Sequence, residues 1–384
     1  MTRFRAATLG AGVMIAASAF VSACGSGKSD TVQVPISPTS PSGSGNSGPV
    51  TLSRPAAVSP VNGEQLSTLR PTLTVENSTS SNQTGTRTYE FQVSDRQDFA
   101  LGASLTTSFL VAVNQTGIAE GSGRTSFTVT QDLQPTTRMY WRARSVQGTS
   151  SSDWSSPAMF KTKLVGYNRA NELYDPLIHG ETIGTIVGNV SFVVGKGAQL
   201  GDQNSYIRYQ LANTITSGEF SVLVENLAPG APGSKFKIFS MQSGTGNLID
   251  NPYMSNVQYR GALDGNPDNS ISFKALYGSF SESRKFEPNS SNRLVRLLNP
   301  STAYFWKWTW GPEVRLLVQD GIGGATVYDY GVPTAGTYAP SPHYAYLGAN
   351  TVGSIEEGSR PGAIIRQVWI SDKPRPDTLG NALD

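Results

Sequence analysis

Few positions in this sequence carry side chains that do chemistry, and their spacing decides which chemistry is open to it. Retaining hydrolysis of a glycosidic bond takes two carboxylates about 5–5.5 Å apart. On a strand that means acids alternating along one face, and no such run occurs. The nearest pair, Glu219 and Glu225, lies six residues apart, about 20 Å on an extended strand. Glu356 and Glu357 are adjacent and would project oppositely from a strand, so a solvated loop suits them better. Proton abstraction beside a charge-neutralising cation is offered by His343-Tyr344 with Arg315 or Arg360. Tyr344 suits the start of a strand equally well. A serine nucleophile usually sits on a strand-to-helix elbow, and helical periodicity is scarce here. Gly321-Ile-Gly-Gly324 falls at a hairpin with no helix after it, so it is no phosphate cradle. The chain has 2 His, which excludes a His-rich metal site. Oxygen ligands for a hard cation occur at Asp264-Gly-Asn-Pro-Asp268-Asn269, although the same residues make an ordinary Asx-rich turn. No cofactor is expected, and this loop is the one place for a structural calcium. The balance leans away from an enzyme.

The single Cys belongs to different chemistry and excludes an intramolecular disulfide. Arg3 and Arg5 form a positive start, Ala6 to Val21 an apolar stretch, and Val21-Ser22-Ala23-Cys24 the end of it. The stretch is too short and too rich in Gly and Ala for a comfortable membrane span. The segment resembles the lipobox of bacterial lipoproteins. That resemblance implies a signal peptide over 1–23, cleavage between Ala23 and Cys24, diacylglycerol on the thiol and a palmitate on the new amino terminus. Several acyl chains hold a bilayer durably where one would not. The implied place is the bacterial cell envelope, lipid-anchored, in the outer membrane or at the cell surface, since Gly25 stands where an Asp would favour the inner membrane.

The elements that would position any site are strands. Charged residues are 15%, against roughly 25% in average soluble domains, and 40 Gly and 23 Pro take their place. That composition suits short strands and many turns. The 384 residues suggest two or three domains, and a net charge of +2 argues against a nucleic-acid partner. Residues 24–54 carry the acylated Cys and a Gly/Ser/Pro/Thr-rich linker with no apolar period. As a coil the linker averages about 30 Å end to end.

From 55 to 162 the alternating runs Leu73–Val75, Tyr89–Val93, Phe127–Val129 and Tyr140–Val146 predict a β-sandwich. Leu133-Gln-Pro135, Tyr140-Trp141-Arg142-Ala143-Arg144, Asp153-Trp154-Ser155 and Phe160-Lys-Thr162 resemble the second half of a fibronectin type III domain. Trp141 and Trp154 are read as packing residues, with Arg142 and Arg144 on the outer face. Such a module implies a spacer and no chemistry of its own.

Residues 163–384 extend the same grammar over ten or more short strands, which predicts a two-sheet jelly roll. Ser217-Gly-Glu-Phe-Ser-Val222, Tyr304–Trp310 leading to Asp320-Gly321, Tyr346-Leu347-Gly348 and Ile365–Ile370 resemble the concanavalin A-like (laminin-G-like) lectin/glucanase jelly roll. The whole fold is thus expected to be all-β. The resemblance implies non-catalytic binding of a glycan or an extracellular matrix polymer, beside the lipid bilayer that the acyl anchor would enter. Two alternatives stand: a polysaccharide lyase or glycoside hydrolase on the same jelly roll, and a structural envelope or adhesion protein without a glycan ligand. Trp306, Trp308 and Trp310 share one face of their strand. Trp308 is expected in the core, and Trp310, beside the Gly311-Pro312 turn, at a rim where a sugar could stack. Tyr328, Tyr330 and Tyr344 are the other candidates for carbohydrate contact.

Overall fold

A computed structural model describes residues 48–82, 85–100, 109–227, 233–251, 253–278, 284–338, 340–351 and 357–383. Ala23, Cys24, the linker up to residue 47 and Glu356 lie outside the described residues. The described fold is all-β, with only three single-turn 3-10 segments beside the strands. Among the described residues no helix is long and apolar enough to cross a membrane.

The first sandwich has seven principal strands: β1 (Ala56–Ser59), β2 (Thr72–Glu76), β3 (Arg87–Ser94), β4 (Ala112–Ala119), β5 (Arg124–Thr128), β6 (Arg138–Gln147) and β7 (Ala158–Lys161). They form a three-stranded sheet, β1-β2-β5, facing a six-stranded one in which β7-β6-β3-β4 are joined by the short strands Glu64–Gln65 and Ser150–Ser151. Strand β6 alternates strictly between buried and half-buried positions, as a sheet with one face on a core must. Met139, Trp141 and Ala143 point inward, where Trp141 stacks on Phe91 at 6.3 Å. Trp141 also donates its indole N–H to the Pro60 carbonyl at 2.7 Å. Trp154 corrects the expectation from sequence. It is half-buried on the outer face, between the guanidinium groups of Arg142 and Arg144, each 4.7 Å from its ring. The two arginines, being i and i+2 on one strand face, make a slot that an indole fills by cation–π contact.

The second sandwich begins with β8 (Tyr167–Arg169), β9 (Glu172–Asp175), β10 (Thr185–Val187), β11 (Val190–Val193), β12 (Gly197–Leu200), β13 (Tyr206–Gln210) and β14 (Gly218–Glu225). Next come β15 (Lys237–Gln242), β16 (Met254–Arg260), β17 (Ser270–Tyr277), β18 (Arg284–Phe286) and β19 (Leu294–Val295). It ends with β20 (Tyr304–Trp310), β21 (Glu313–Asp320), β22 (Thr326–Pro333), β23 (Tyr344–Leu347) and β24 (Ile364–Ser371). One sheet runs β8-β9-β24-β14-β20-β21-β22 and the other β10-β13-β23-β15-β16-β17-β18. Antiparallel pairing of strands distant in sequence, such as β14 with β24, gives the two-layer jelly-roll arrangement. Their inner faces share one core, in which Phe220 meets Phe239 at 4.4 Å and Phe273 meets Trp308 at 5.1 Å.

Both outer faces are partly roofed. Residues 372–383 cover the first sheet, where Arg375 is 8% exposed and donates to Gln367 Oε1 at 2.6 Å. The same segment binds the first sandwich. Thr378 donates its hydroxyl to Asp95 Oδ2 at 2.7 Å and accepts from Gln134 at 3.2 Å, and Asn381 accepts the backbone N–H of Arg138 at 2.6 Å. Beside these bonds, the Arg169 guanidinium sits 3.5 Å from the Phe109 ring centroid.

Candidate functional site

Strands β15, β16 and β17 place polar side chains on the outer face of the second sheet. Register sets them in transverse rows: Lys237 opposite Gln258 opposite Ser272, and Ser240 opposite Asn256 opposite Lys274. The intervening residues Val257, Tyr259, Ile271 and Phe273 belong to the core, so period-two alternation turns the polar set outward. Two segments lie over part of this face. Gln242 ties down residues 243–251 through bonds to Gly244 and Gly246 at 2.6 and 2.7 Å. Asn350 joins them by accepting from Leu248 N at 2.7 Å. A small apolar cluster of Leu248, Met254, Leu276 and Ala349 seals the seam.

Beside that seam a cavity of about 490 Å³ remains, floored by Lys237, Asn256, Gln258, Arg260, Ser272 and Lys274. Gln258 is 6% exposed. Its amide nitrogen donates to Asn256 at 2.6 Å, while its carbonyl oxygen is buried without a partner. At one wall Glu357 bridges Lys235 at 3.0 Å and Lys237 at 3.2 Å. Asp264 takes Lys235 at 2.7 Å, and Arg293 donates to Asn266. Burial outweighs the pull of Glu357 on Lys237 and lowers its ammonium from the usual 10.5 to about 8. Burial also pushes the Glu357 carboxyl up, but Lys237 and Lys235 together hold it below its ordinary value. Desolvation leaves Arg260 and Lys274 lowered as well. The site can therefore meet a ligand rich in hydroxyls with amide, hydroxyl and cationic groups.

The residues singled out from sequence fall elsewhere. Trp310 does not reach a rim: it is 4% exposed and donates its indole N–H to the Ile215 carbonyl at 3.0 Å. Tyr328 is buried and donates to the Asn292 carbonyl at 2.9 Å. Tyr330 is half-buried, and its hydroxyl accepts from Asn292 at 2.7 Å. These two tyrosines hold the turn at 290–292. Tyr344 is half-buried, with the Arg208 guanidinium 5.9 Å from its ring. None of the four lines the cavity.

The groups weighed for catalysis are not assembled either. His343 is exposed, Arg315 is engaged by Asp329 at 2.7 Å, and Arg360 is buried over Tyr259 at 5.3 Å. Glu219 and Glu225 stand at opposite ends of β14, the first accepting from Ser221 at 2.7 Å and the second from Lys196 at 2.8 Å. The 264–269 loop is a turn whose acids are already engaged, Asp264 by Lys235 at 2.7 Å and Asp268 by the backbone N–H of Ala262 at 2.7 Å. Among the described residues no three His, Cys, Asp or Glu converge as a metal site. Glu357, expected in a solvated loop, instead forms part of the cavity wall. The floor on β16 was missed from sequence, although Val257 and Tyr259 alternating with Asn256, Gln258 and Arg260 carry the strand signal.

No protein-family model matches the chain, and no curated protein matches it. Solved structures similar to it include the enzymatically active domain of tailspike protein 2 of bacteriophage CBA120, at 10% identity over 59% of this chain and 33% of that one, with a TM-score of 0.35. The exoplasmic/lumenal domain of VIP36 in its Ca2+/Man2-bound form is similar at 9% identity over 54% of this chain and 90% of that one, TM-score 0.35. The botulinum neurotoxin type G receptor binding domain is similar at 11% identity, 56% and 51% coverage, and TM-score 0.35. The chain thus spans about a third of the tailspike domain's length.

Proposed function

We propose that this chain is a surface-anchored lipoprotein whose C-terminal sandwich binds carbohydrate non-catalytically, in the cavity over β15–β17. The anchor is Cys24, acylated after cleavage at Ala23, and residues 24–54 are its tether. The first sandwich serves as a fibronectin type III-like spacer, a reading supported by its two facing sheets with principal strand orders β1-β2-β5 and β7-β6-β3-β4. The second is read as a concanavalin A-like jelly roll. The observation that carries the binding reading is Gln258 on the cavity floor. Its unpartnered buried oxygen costs stability unless a donor reaches it, and the Asn256 and Ser272 side chains beside it extend the same hydrogen-bonding surface. Sugar hydroxyls are donors and acceptors at once and suit such a floor.

A glycan array of the intact protein tests this, with Gln258→Ala as the control. Retained glycans should be lost in the variant while its melting temperature stays within a few degrees. An array on which wild type retains nothing overturns the reading. The anchor is tested by labelling cells with a palmitate analogue: label and membrane fractionation should both disappear in Cys24→Ala.

A catalytic reading of the same fold has one observation in its favour. The Lys237 ammonium, lowered to about 8, would supply a base near neutral pH at the cavity floor. New reducing ends or unsaturated products released from a bound polysaccharide would decide for it.

A further inference from the structure

The charges around the cavity divide unevenly. Glu357 is shared by Lys235 and Lys237, Asp264 is held by Lys235, and Glu287 lies 3.9 Å from Arg293. Asp250 is exposed at the margin. This leaves Arg260 and Lys274 with no acid in ion-pair contact among the described residues. Arg260 is 6% exposed. Its Nη2 donates to the Leu263 carbonyl at 2.7 Å, but its Nε is buried without an acceptor. Lys274 is half-buried and lines the same cavity.

Their placement is specific. The Gln258–Ser272 row has Arg260 two residues to one side and the Asn256–Lys274 row two residues to the other, a step of about 7 Å each way. Two cations thus flank a central row of amide and hydroxyl groups. A buried cation without a counter-charge is costly. A neutral sugar would satisfy Gln258 yet leave both cations as they are.

Resting on the carbohydrate reading of this cavity, we infer that its ligand is an acidic saccharide, whose ring hydroxyls meet the Gln258 row and whose carboxylate or sulfate ester is taken by Arg260 and Lys274. Polymeric phosphate is disfavoured, because Glu357, Asp264 and Glu287 around the rim break up the continuous basic strip that it needs.

Calorimetric titration of the intact protein tests this with acidic oligosaccharides and their neutral counterparts. The probes are oligogalacturonate and alginate oligomers against their carboxyl-reduced forms, and a sulfated galactan fragment against its desulfated form. An acidic member should bind at least about tenfold more tightly than its neutral partner, as a charge-assisted hydrogen bond requires. Whether a uronate or a sulfate ester prevails identifies the anionic group. Arg260→Gln and Lys274→Gln should each bring the acidic-to-neutral ratio towards one. Lys274 is the more exposed of the two, so its variant carries the test if Arg260→Gln does not fold. Neutral and acidic partners binding equally would overturn the inference while leaving carbohydrate binding intact. Binding of no saccharide at all would overturn both.

Discussion

The indole N–H of Trp310 donates to the Ile215 carbonyl at 3.0 Å, whereas the indole nitrogens of Trp306 and Trp308, in the same core, are buried without a partner. Three tryptophans on one strand face are therefore packed alike and bonded differently. Trp308→Ala should cost about 3–5 kcal/mol, the usual range for emptying an aromatic site. Trp310→Ala should cost as much, and in addition leaves the Ile215 carbonyl without this donor, worth about 1 kcal/mol. Urea unfolding of both variants checks this. A Trp310→Ala protein as stable as wild type would return that ring to the surface.

In the first sandwich the two tryptophans should separate clearly. Trp141 is fully buried, so Trp141→Ala should cost about 3–5 kcal/mol. Trp154 sits in the slot made by Arg142 and Arg144, where each cation–π contact is worth about 0.5–1 kcal/mol. Trp154→Ala should then lose about 1–2 kcal/mol. Equal losses in chemical denaturation would contradict the placement of Trp154 outside the core.

Lys237 makes stability depend on pH with a definite sign. Its folded value, about 8, lies below the unfolded 10.5, so between these values the unfolded chain binds more protons. Stability should rise as pH increases from about 8 to 10.5, by roughly 3 kcal/mol at most, and below 8 the full penalty applies. Lys237→Met should remove that rise. The difference between the two proteins' unfolding free energies, measured from pH 7 to 10, isolates this group. A wild-type curve parallel to the variant's would refute the assignment.

Thr378→Val deletes both the bond to Asp95 and the one from Gln134. It should loosen the first sandwich from the C-terminal segment. Sequence alone suggests a protease-sensitive break between Thr162 and Asn171. With Thr378 in place, trypsin should leave one fragment beginning at Ser29, after Lys28, and in the variant cleavage at Lys163 or Arg169 should appear. N-terminal sequencing of the fragments reads this directly, and an early cut at those sites in wild type would show that the contacts do not hold.

Strand grammar was legible where apolar residues dominate. Tyr304–Trp310 has large aromatic side chains on alternate positions and Ile364–Ser371 is rich in β-branched residues, and both are strands as expected. Met254–Arg260 escaped because its outward residues Asn256, Gln258 and Arg260 are buried, partly roofed by residues 243–251 and by the distant segment around Asn350. The alternation of Val257 and Tyr259 with polar residues marks the strand, but nothing in it marks that the polar face is covered, so the cavity floor was missed. Trp310 missed its expected rim for the converse reason. A ring suited to a sugar is equally suited to a core, and Trp310 found its hydrogen-bond acceptor 95 residues away.

The bond between Thr378 and Asp95 joins residues 283 positions apart. Strands β1 to β7 hold their own core and can close during synthesis, as N-terminal domains do. Their docking partner Thr378, however, is synthesised 283 residues after Asp95. A chain halted anywhere in the second sandwich would therefore carry a finished first module with an unclaimed docking face. Correct joining of the two modules then reports that translation has run through the C-terminal segment.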